Sequence, residues 1–240
     1  MTELSAFVTG ADRGLGMGLT KVLLERGFRV FAGEFGVDPT GLNEIAQEYG
    51  ARLKRIPLDV SSDVSVMHAA DKVREGCASL DILINNAGIL GDYTATLSDP
   101  MDFAQMLQVY NVNAVGPLRV AQALFGHLCK GSLKRLINIS SEAGSMEQSR
   151  RIDRTARYGY CMSKSALNVE TVILANHARR HGVEVYLIDP GWVRTYMHGE
   201  LNVDAAQEPY DTALDILATV LDRPKPEYLY MTHKGERYDW

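Results

Sequence analysis

Cysteine is scarce in this sequence: Cys77, Cys129 and Cys161 are the three in 240 residues, far apart and without a CxxC pair. That fits a reduced, cytoplasmic setting, in which the thiols pack as small apolar side chains, better than a disulfide scaffold. The six histidines (His68, His127, His177, His181, His198 and His233) show no HExxH or comparable ligand spacing, so no metal site is expected. No apolar run is long enough to span a bilayer, and an apolar strand begins at Leu4 after Met1, Thr2 and Glu3. Neither a signal peptide nor a membrane anchor is therefore expected. Positive charge is not in excess: 25 Lys and Arg stand against 30 Asp and Glu, a formal charge of -5. The chain thus has no overall attraction for nucleic acid or an anionic membrane, and small molecules are the expected partners. Internal repeats and low-complexity tracts are absent as well.

What is present is an alternation of short β-branched or apolar runs with longer segments of helical period, the pattern of repeated β-α units. Strands are expected over 4–9, 29–33, 52–58, 80–85, 135–140, 183–188 and 228–231, and helices over 15–26, 42–49, 64–75, 101–128, 159–180 and 205–221. The long fourth helix is expected to bend near Gly116 and Pro117. Seven strands with right-handed crossovers make a doubly wound parallel sheet with helices on both faces, in one α/β domain over 1–240. The least regular stretches, 88–100, 142–157 and 191–209, all follow strand carboxyl ends, the edge where open α/β sheets bind ligands.

The first strand runs into Thr9-Gly10-Ala11-Asp12-Arg13-Gly14-Leu15-Gly16 and then an amphipathic helix. Glycines permit the tight turn and close backbone approach, and the helix amino terminus offers unpaired N–H groups to a pyrophosphate. A glycine serving only as a turn former is the bland alternative, made less apt by the position between first strand and first helix. Asp59, in Leu58-Asp59-Val60, has two readings: a carboxylate for the adenine amino group, or a turn and capping residue before Ser61. Asn85-Asn86-Ala87-Gly88 follows the fourth strand, where paired amides can satisfy neighbouring backbone groups or simply form a turn.

Tyr160-Cys161-Met162-Ser163-Lys164 places a phenol and an ammonium four residues apart, on one helix face. A nearby ammonium favours the phenolate and eases proton exchange with an alcohol or carbonyl. YxxxK alone is common by chance, but here it follows Ile137-Asn138-Ile139-Ser140-Ser141, a strand ending in two hydroxyls. Either serine can donate a hydrogen bond to a developing alkoxide. Which of the two points inward is left open by the chemistry.

Thr9 to Gly16, Asn85 to Gly88, Asn113, Ser141, Tyr160, Lys164 and Pro190-Gly191 stand in the order and approximate spacing of the short-chain dehydrogenase/reductase superfamily, which the chain resembles over essentially its whole length. The 9–14, 160–168, 189–197 and 235–240 segments look like its C-factor or sniffer-like carbonyl reductase branch. The resemblance implies a single-domain Rossmann fold, its dinucleotide part mainly in 1–115 and its catalytic and substrate part mainly in 116–240. It implies Tyr160 as acid/base, Lys164 as the residue that holds the nicotinamide ribose and lowers the Tyr160 pKa, Ser141 on the substrate oxygen and Asn113 in a water relay to the lysine. Asn111 is a decoy for Asn113. Implied cofactor contacts are Gly10, Asp12, Arg13, Gly14, Leu15, Gly16, Asp59, Val60, Asn86, Ala87, Gly88, Pro190, Gly191, Val193 and Thr195, besides Tyr160 and Lys164. The substrate expected is a small carbonyl or alcohol compound, and a homodimer or homotetramer paired through helices 101–128 and 159–180 is expected too. A catalytically silent dinucleotide-binding regulator is the rival class, and the presence of Ser141, Tyr160 and Lys164 argues against it.

Two features depart from the pattern. The stretch between Ser141 and Tyr160 is several residues longer than usual and carries Arg150, Arg151, Arg154 and Arg157 with Asp153 interleaved. It reads first as a solvated loop, and second as a site where an arginine fork meets an anionic substrate or partner. At the end of the second strand stands Glu34, about 20 residues beyond the glycine turn, where an acid can accept hydrogen bonds from the adenosine ribose hydroxyls of NAD. At ~4 Å and an effective dielectric of ~20 it opposes an added phosphate by on the order of 4 kcal/mol. Arg13 pulls the other way, since in the resembled branch it often meets the 2′-phosphate of NADP. Phe35 occupies the following place, where a basic residue is expected. NAD(H) is therefore the expected cofactor, with NADP(H) the alternative.

Overall fold

The computed structural model describes residues 3–36, 40–197, 199–224 and 226–240. His198, one of the six histidines named above, lies outside them. Seven strands, β1 (Ser5–Thr9), β2 (Arg29–Glu34), β3 (Leu53–Pro57), β4 (Ile82–Asn85), β5 (Arg135–Ile139), β6 (Glu184–Asp189) and β7 (Tyr230–Thr232), form one sheet. Their order is β3-β2-β1-β4-β5-β6-β7 and every pairing is parallel. The chain reverses its direction of travel across the sheet between β1 and β4. That is the doubly wound, Rossmann-type arrangement expected of the sequence, and the reversal opens a crevice at the strand carboxyl ends.

Alternation along the strands sends side chains to two apolar layers. Ala6, Val8, Val30, Ala32, Ile82, Ile84 and Ile137 pack on one face against α1 (Gly14–Glu25), α2 (Thr40–Tyr49) and α8 (Pro209–Leu221). Phe7, Phe31, Leu83, Leu136 and Val185 pack on the other against α3 (Asp63–Gly76), α5 (Gly116–Leu128) and α7 (Tyr158–Ala178). Burial on both faces is why the strands read as nearly continuous apolar runs.

Three boundaries differ from expectation. The helix expected over 101–128 is α4 (Phe103–Tyr110), a π-helical turn over Asn111–Val115, and then α5, with Pro117 at its start. The interruption thus precedes Gly116 and comes from the wider turn itself, a feature common at functional sites. The stretch 142–157 contains a short helix, α6 (Met146–Arg151), whose amino end is capped by Ser145 Oγ accepting from Gln148 N at 3.0 Å. Helix α8 begins at Pro209, where the missing N–H costs nothing and Glu208 before it is extended, rather than at residue 205. No helix among the described residues is long and apolar enough to cross a membrane.

Candidate active site

A cavity of about 1140 Å³ runs along the strand carboxyl ends from the glycine turn to Tyr160. It is roomy enough for a ligand larger than an ordinary drug-sized molecule. At one end β1 passes through Thr9 into Gly10, whose φ of +62° suits glycine, and a Cβ there would lie 2.8 Å from Ala87 Cα. A Cβ on Gly16 would stand 2.0 Å from the Gly10 carbonyl oxygen and 2.5 Å from Asn86 Nδ2. Asn86 holds this cradle. Its Nδ2 donates to the carbonyls of Thr9 and Gly10, both at 3.0 Å, while Thr9 Oγ1 accepts from the Asn86 and Ala87 N–H groups, also at 3.0 Å. Arg13, extended at the start of α1, makes no side-chain cap, so the opening N–H groups of the helix have no side-chain acceptor from it. A backbone cradle at a helix amino terminus, closed to any side chain, fits the pyrophosphate of a dinucleotide.

Gly10, Asp12, Arg13, Gly14, Leu15, Asp59, Val60, Asn86, Ala87, Gly88, Pro190, Gly191, Val193 and Thr195 all line this cavity. Gly16 does not, because its role is to let α1 approach the turn. Asp59 takes the turn reading in part: its Oδ1 accepts from Ser61 N at 2.9 Å and Ser61 Oγ at 2.6 Å.

Glu34 is the residue expected at the adenosine ribose. It does not line the cavity; its Oε2 accepts from Arg55 Nη2 at 2.7 Å and Arg55 Nε at 3.0 Å. Arg55 projects from β3, where it pairs with Ala32, two residues before Glu34 on the same face of β2. The guanidinium thus draws the carboxylate along the sheet and neutralises it. Phe35 and Arg13 are the residues that face the cavity instead.

At the other end, Tyr160 and Lys164 are buried one turn apart on α7, with Lys164 Nζ 5.8 Å from the Tyr160 ring centre. Burial pushes the phenol up to about 12 and the ammonium down to about 8. At Tyr160 the Ser141 side chain, by hydrogen bonding, and the positive charge of Arg157 oppose that rise, while Asp189 and Cys161 add to it. Lys164 Nζ donates to the Ile139 carbonyl at 2.9 Å, and Asp189 partly offsets its desolvation.

The two serines separate here. Ser140 Oγ donates to Asn168 Oδ1 at 2.6 Å inside the core, and Ser141 is the one that interacts with Tyr160. Tyr230 O–H donates to the Ser141 carbonyl at 2.6 Å and packs against the tilted rings of Tyr238 and Trp240, so the carboxyl-terminal residues help hold the serine. Asn113, in the π turn, is fully buried but does not line the cavity. Its Nδ2 donates to Ile89 O at 2.8 Å and Ser163 Oγ at 3.0 Å, and its Oδ1 accepts from Ile89 N at 2.8 Å.

Sequence reasoning missed Asp189. This buried carboxylate at the end of β6 lines the cavity, accepts the N–H groups of Glu142 at 3.1 Å and Gly191 at 3.3 Å, and is pushed by burial up to about 6. An acidic residue ending an otherwise apolar strand was the available signal. Among the described residues, no group of three or more His, Cys, Asp or Glu side chains is arranged to hold a metal ion.

A glycine cradle and a buried Tyr–Lys pair, joined by one cavity at the switch point of a parallel sheet, define a dinucleotide-binding oxidoreductase. The chain belongs to the short-chain dehydrogenase family, whose model matches residues 5–206. It is 37% identical to the C-signal protein of Myxococcus xanthus over 67% of this chain and 89% of that one. An uncharacterised oxidoreductase of Schizosaccharomyces pombe is 32% identical over 90% of this chain and 81% of its own. Among solved structures, an NADPH-bound carbonyl reductase from chicken fatty liver superposes with a TM-score of 0.88 at 29% identity, covering 100% of both chains.

Proposed function

We propose that the protein interconverts a carbonyl and an alcohol of a small molecule, with Tyr160 as the proton donor and acceptor. The observation that carries this reading is the placement of the Tyr160 phenol, Ser141 and Lys164 in the cavity whose far end is the glycine cradle. A nicotinamide dinucleotide held there would supply or take up the hydride at the substrate carbon. In reduction, Ser141 and the Tyr160 O–H meet the carbonyl oxygen, and Tyr160 gives up its proton as negative charge develops there. Burial favours the phenol, so the acid form is present at neutral pH, and Ser141 and Arg157 ease formation of the phenolate. Lys164 would hold the ribose side of a bound nicotinamide and keep a positive charge beside the phenolate. Asn113 ties Ile89 to Ser163, fixing the wall behind Lys164 and supporting a water path to it.

For the cofactor, the ion pair between Glu34 and Arg55 removes the physical cause of the expected NAD(H) preference. With that carboxylate neutralised and Arg13 lining the cavity, the site accepts the 2′-phosphate of NADP(H), the form bound in the chicken carbonyl reductase. The protein further pairs with a second copy through α4 and α7, where Phe103, Leu107, Val169 and Ile173 are each more than 60% exposed. Sedimentation at micromolar concentration yielding only monomer contradicts this pairing. The functional test is incubation of the purified protein with NADPH or NADH and a panel of aldehydes and ketones. Carbonyl-dependent loss of reduced-nicotinamide absorbance, faster with NADPH, is expected; binding of dinucleotide with no turnover of any carbonyl contradicts the reading.

A further inference from the structure

The structure sorts the four arginines between Ser141 and Tyr160. Arg150 and Arg151 reach Glu147 at 2.9 and 3.1 Å, Arg151 also meets Asp239 at 3.1 Å, and both lie at the surface. Arg154, with a side chain only 8% exposed, is engaged by Glu142. Arg157 differs from all three. Among the described residues no carboxylate lies within ion-pair distance of it, yet it lines the cavity with Tyr160.

Its backbone is also unusual. Arg157 caps the amino end of α7 at φ 68°, ψ 32°, a left-handed conformation in which glycine has the steric advantage. Asp153, four residues earlier, is likewise left-handed at φ 50°. A non-glycine residue in this region carries a steric cost, here borne within the cavity wall. Neighbouring acids do not occupy the guanidinium: Glu142 is engaged by Arg154, Asp153 is exposed, and Asp189 is buried accepting two backbone N–H groups. Of the other cations lining this end, Lys164 is committed to the Ile139 carbonyl and Arg154 to Glu142. The same cavity wall carries apolar and aromatic side chains, Ile152, Trp192 and Tyr196, beside the polar Asp153 and Thr155.

We propose that Arg157 anchors a carboxylate of the substrate, so that the protein acts preferentially on oxo acids: an aldehyde or ketone whose apolar body carries a carboxylate. The inference rests on the carbonyl–alcohol reading above and names its substrate class. One uncommitted guanidinium matches one carboxylate in a two-bond fork, whereas a phosphate dianion calls for a second free cation that this end lacks.

The test uses NADPH with the three formylbenzoates and their methyl esters, which differ in charge at the same aldehyde. For at least one isomer, wild-type kcat/KM for the acid is expected to exceed that for its ester tenfold or more, chiefly through KM. In Arg157→Gly, which suits the left-handed backbone and deletes the guanidinium, this acid-to-ester ratio falls at least tenfold. Arg157→Asn serves the same purpose should the glycine variant fail to fold, and Arg157→Lys recovers part of the ratio. Arg150→Ala keeps the wild-type ratio. Turnover of acids and esters with similar kcat/KM, or a ratio unmoved in Arg157→Gly, overturns the inference and leaves the reductase reading intact. No turnover of any of the six aldehydes, with dinucleotide still bound, overturns both.

Discussion

At the cofactor end the cavity wall is a backbone cradle fixed by Thr9 and Asn86, whereas at the chemical end it carries side chains whose ionisation burial has shifted. In the proposed function the first end recognises the pyrophosphate by shape and by backbone dipoles that carry no titrating proton. The second places a phenol, an ammonium and the Asp189 carboxylate in low dielectric, and each is moved toward its neutral form. Mutations should accordingly act on affinity at one end and on rate and pH dependence at the other.

After Tyr160, the largest effect expected within this comparison is at Lys164. Lys164→Met should reduce kcat/KM at least about a hundredfold, within the range for a group assisting proton transfer. In the wild type the ammonium is lost as pH rises through about 8, so kcat/KM for reduction should fall above that pH, and the variant should lack this limb. Gly16→Ala probes the other end. Its methyl has no room beside the Gly10 carbonyl and Asn86 Nδ2, so dinucleotide affinity should weaken about tenfold to a hundredfold by calorimetry, with kcat at saturation much less affected. A pH-rate profile altered by Gly16→Ala breaks the proposed division of labour.

Arg55→Ala sharpens the account of the cofactor end. Freed from its partner, Glu34 opposes a 2′-phosphate, and the NADPH-to-NADH ratio of kcat/KM should drop about tenfold, ~1.4 kcal/mol, a fraction of the unscreened like-charge cost. The smallest effect is on stability. The Asp189 carboxyl is raised from 3.8 to about 6, so the folded protein holds that proton through this window and loses stability as pH rises across it. Asp189→Asn should therefore raise Tm by a few degrees at pH 7 and leave it almost unchanged at pH 4, read by thermal denaturation at both pH values.

Legibility in the sequence follows the range of the interactions. The glycine turn and the Tyr160–Lys164 spacing are local, dictated by one backbone turn and one helical turn, and they stand in the structure where the pattern placed them. The partnership of Glu34 with Arg55 spans 21 residues and depends on β2–β3 register, so no local pattern revealed it. The choice of Ser141 over Ser140 rests on strand parity and on Asn168, 28 residues beyond Ser140. The π turn around Asn113 leaves the apolar periodicity of the helix nearly continuous, which is why 101–128 read as one helix. The sorting of the arginines required knowing where Glu142, Glu147 and Asp239 fall in space.

The central claim, that Tyr160 transfers the proton while the cofactor end acts independently, is tested most directly by Tyr160→Phe. NADPH affinity and single-turnover reduction of a carbonyl are measured on the same preparation. The account expects an NADPH Kd within about threefold of wild type and a reduction rate lowered by about a thousandfold. A reduction rate within tenfold of wild type, with NADPH bound normally, would contradict it.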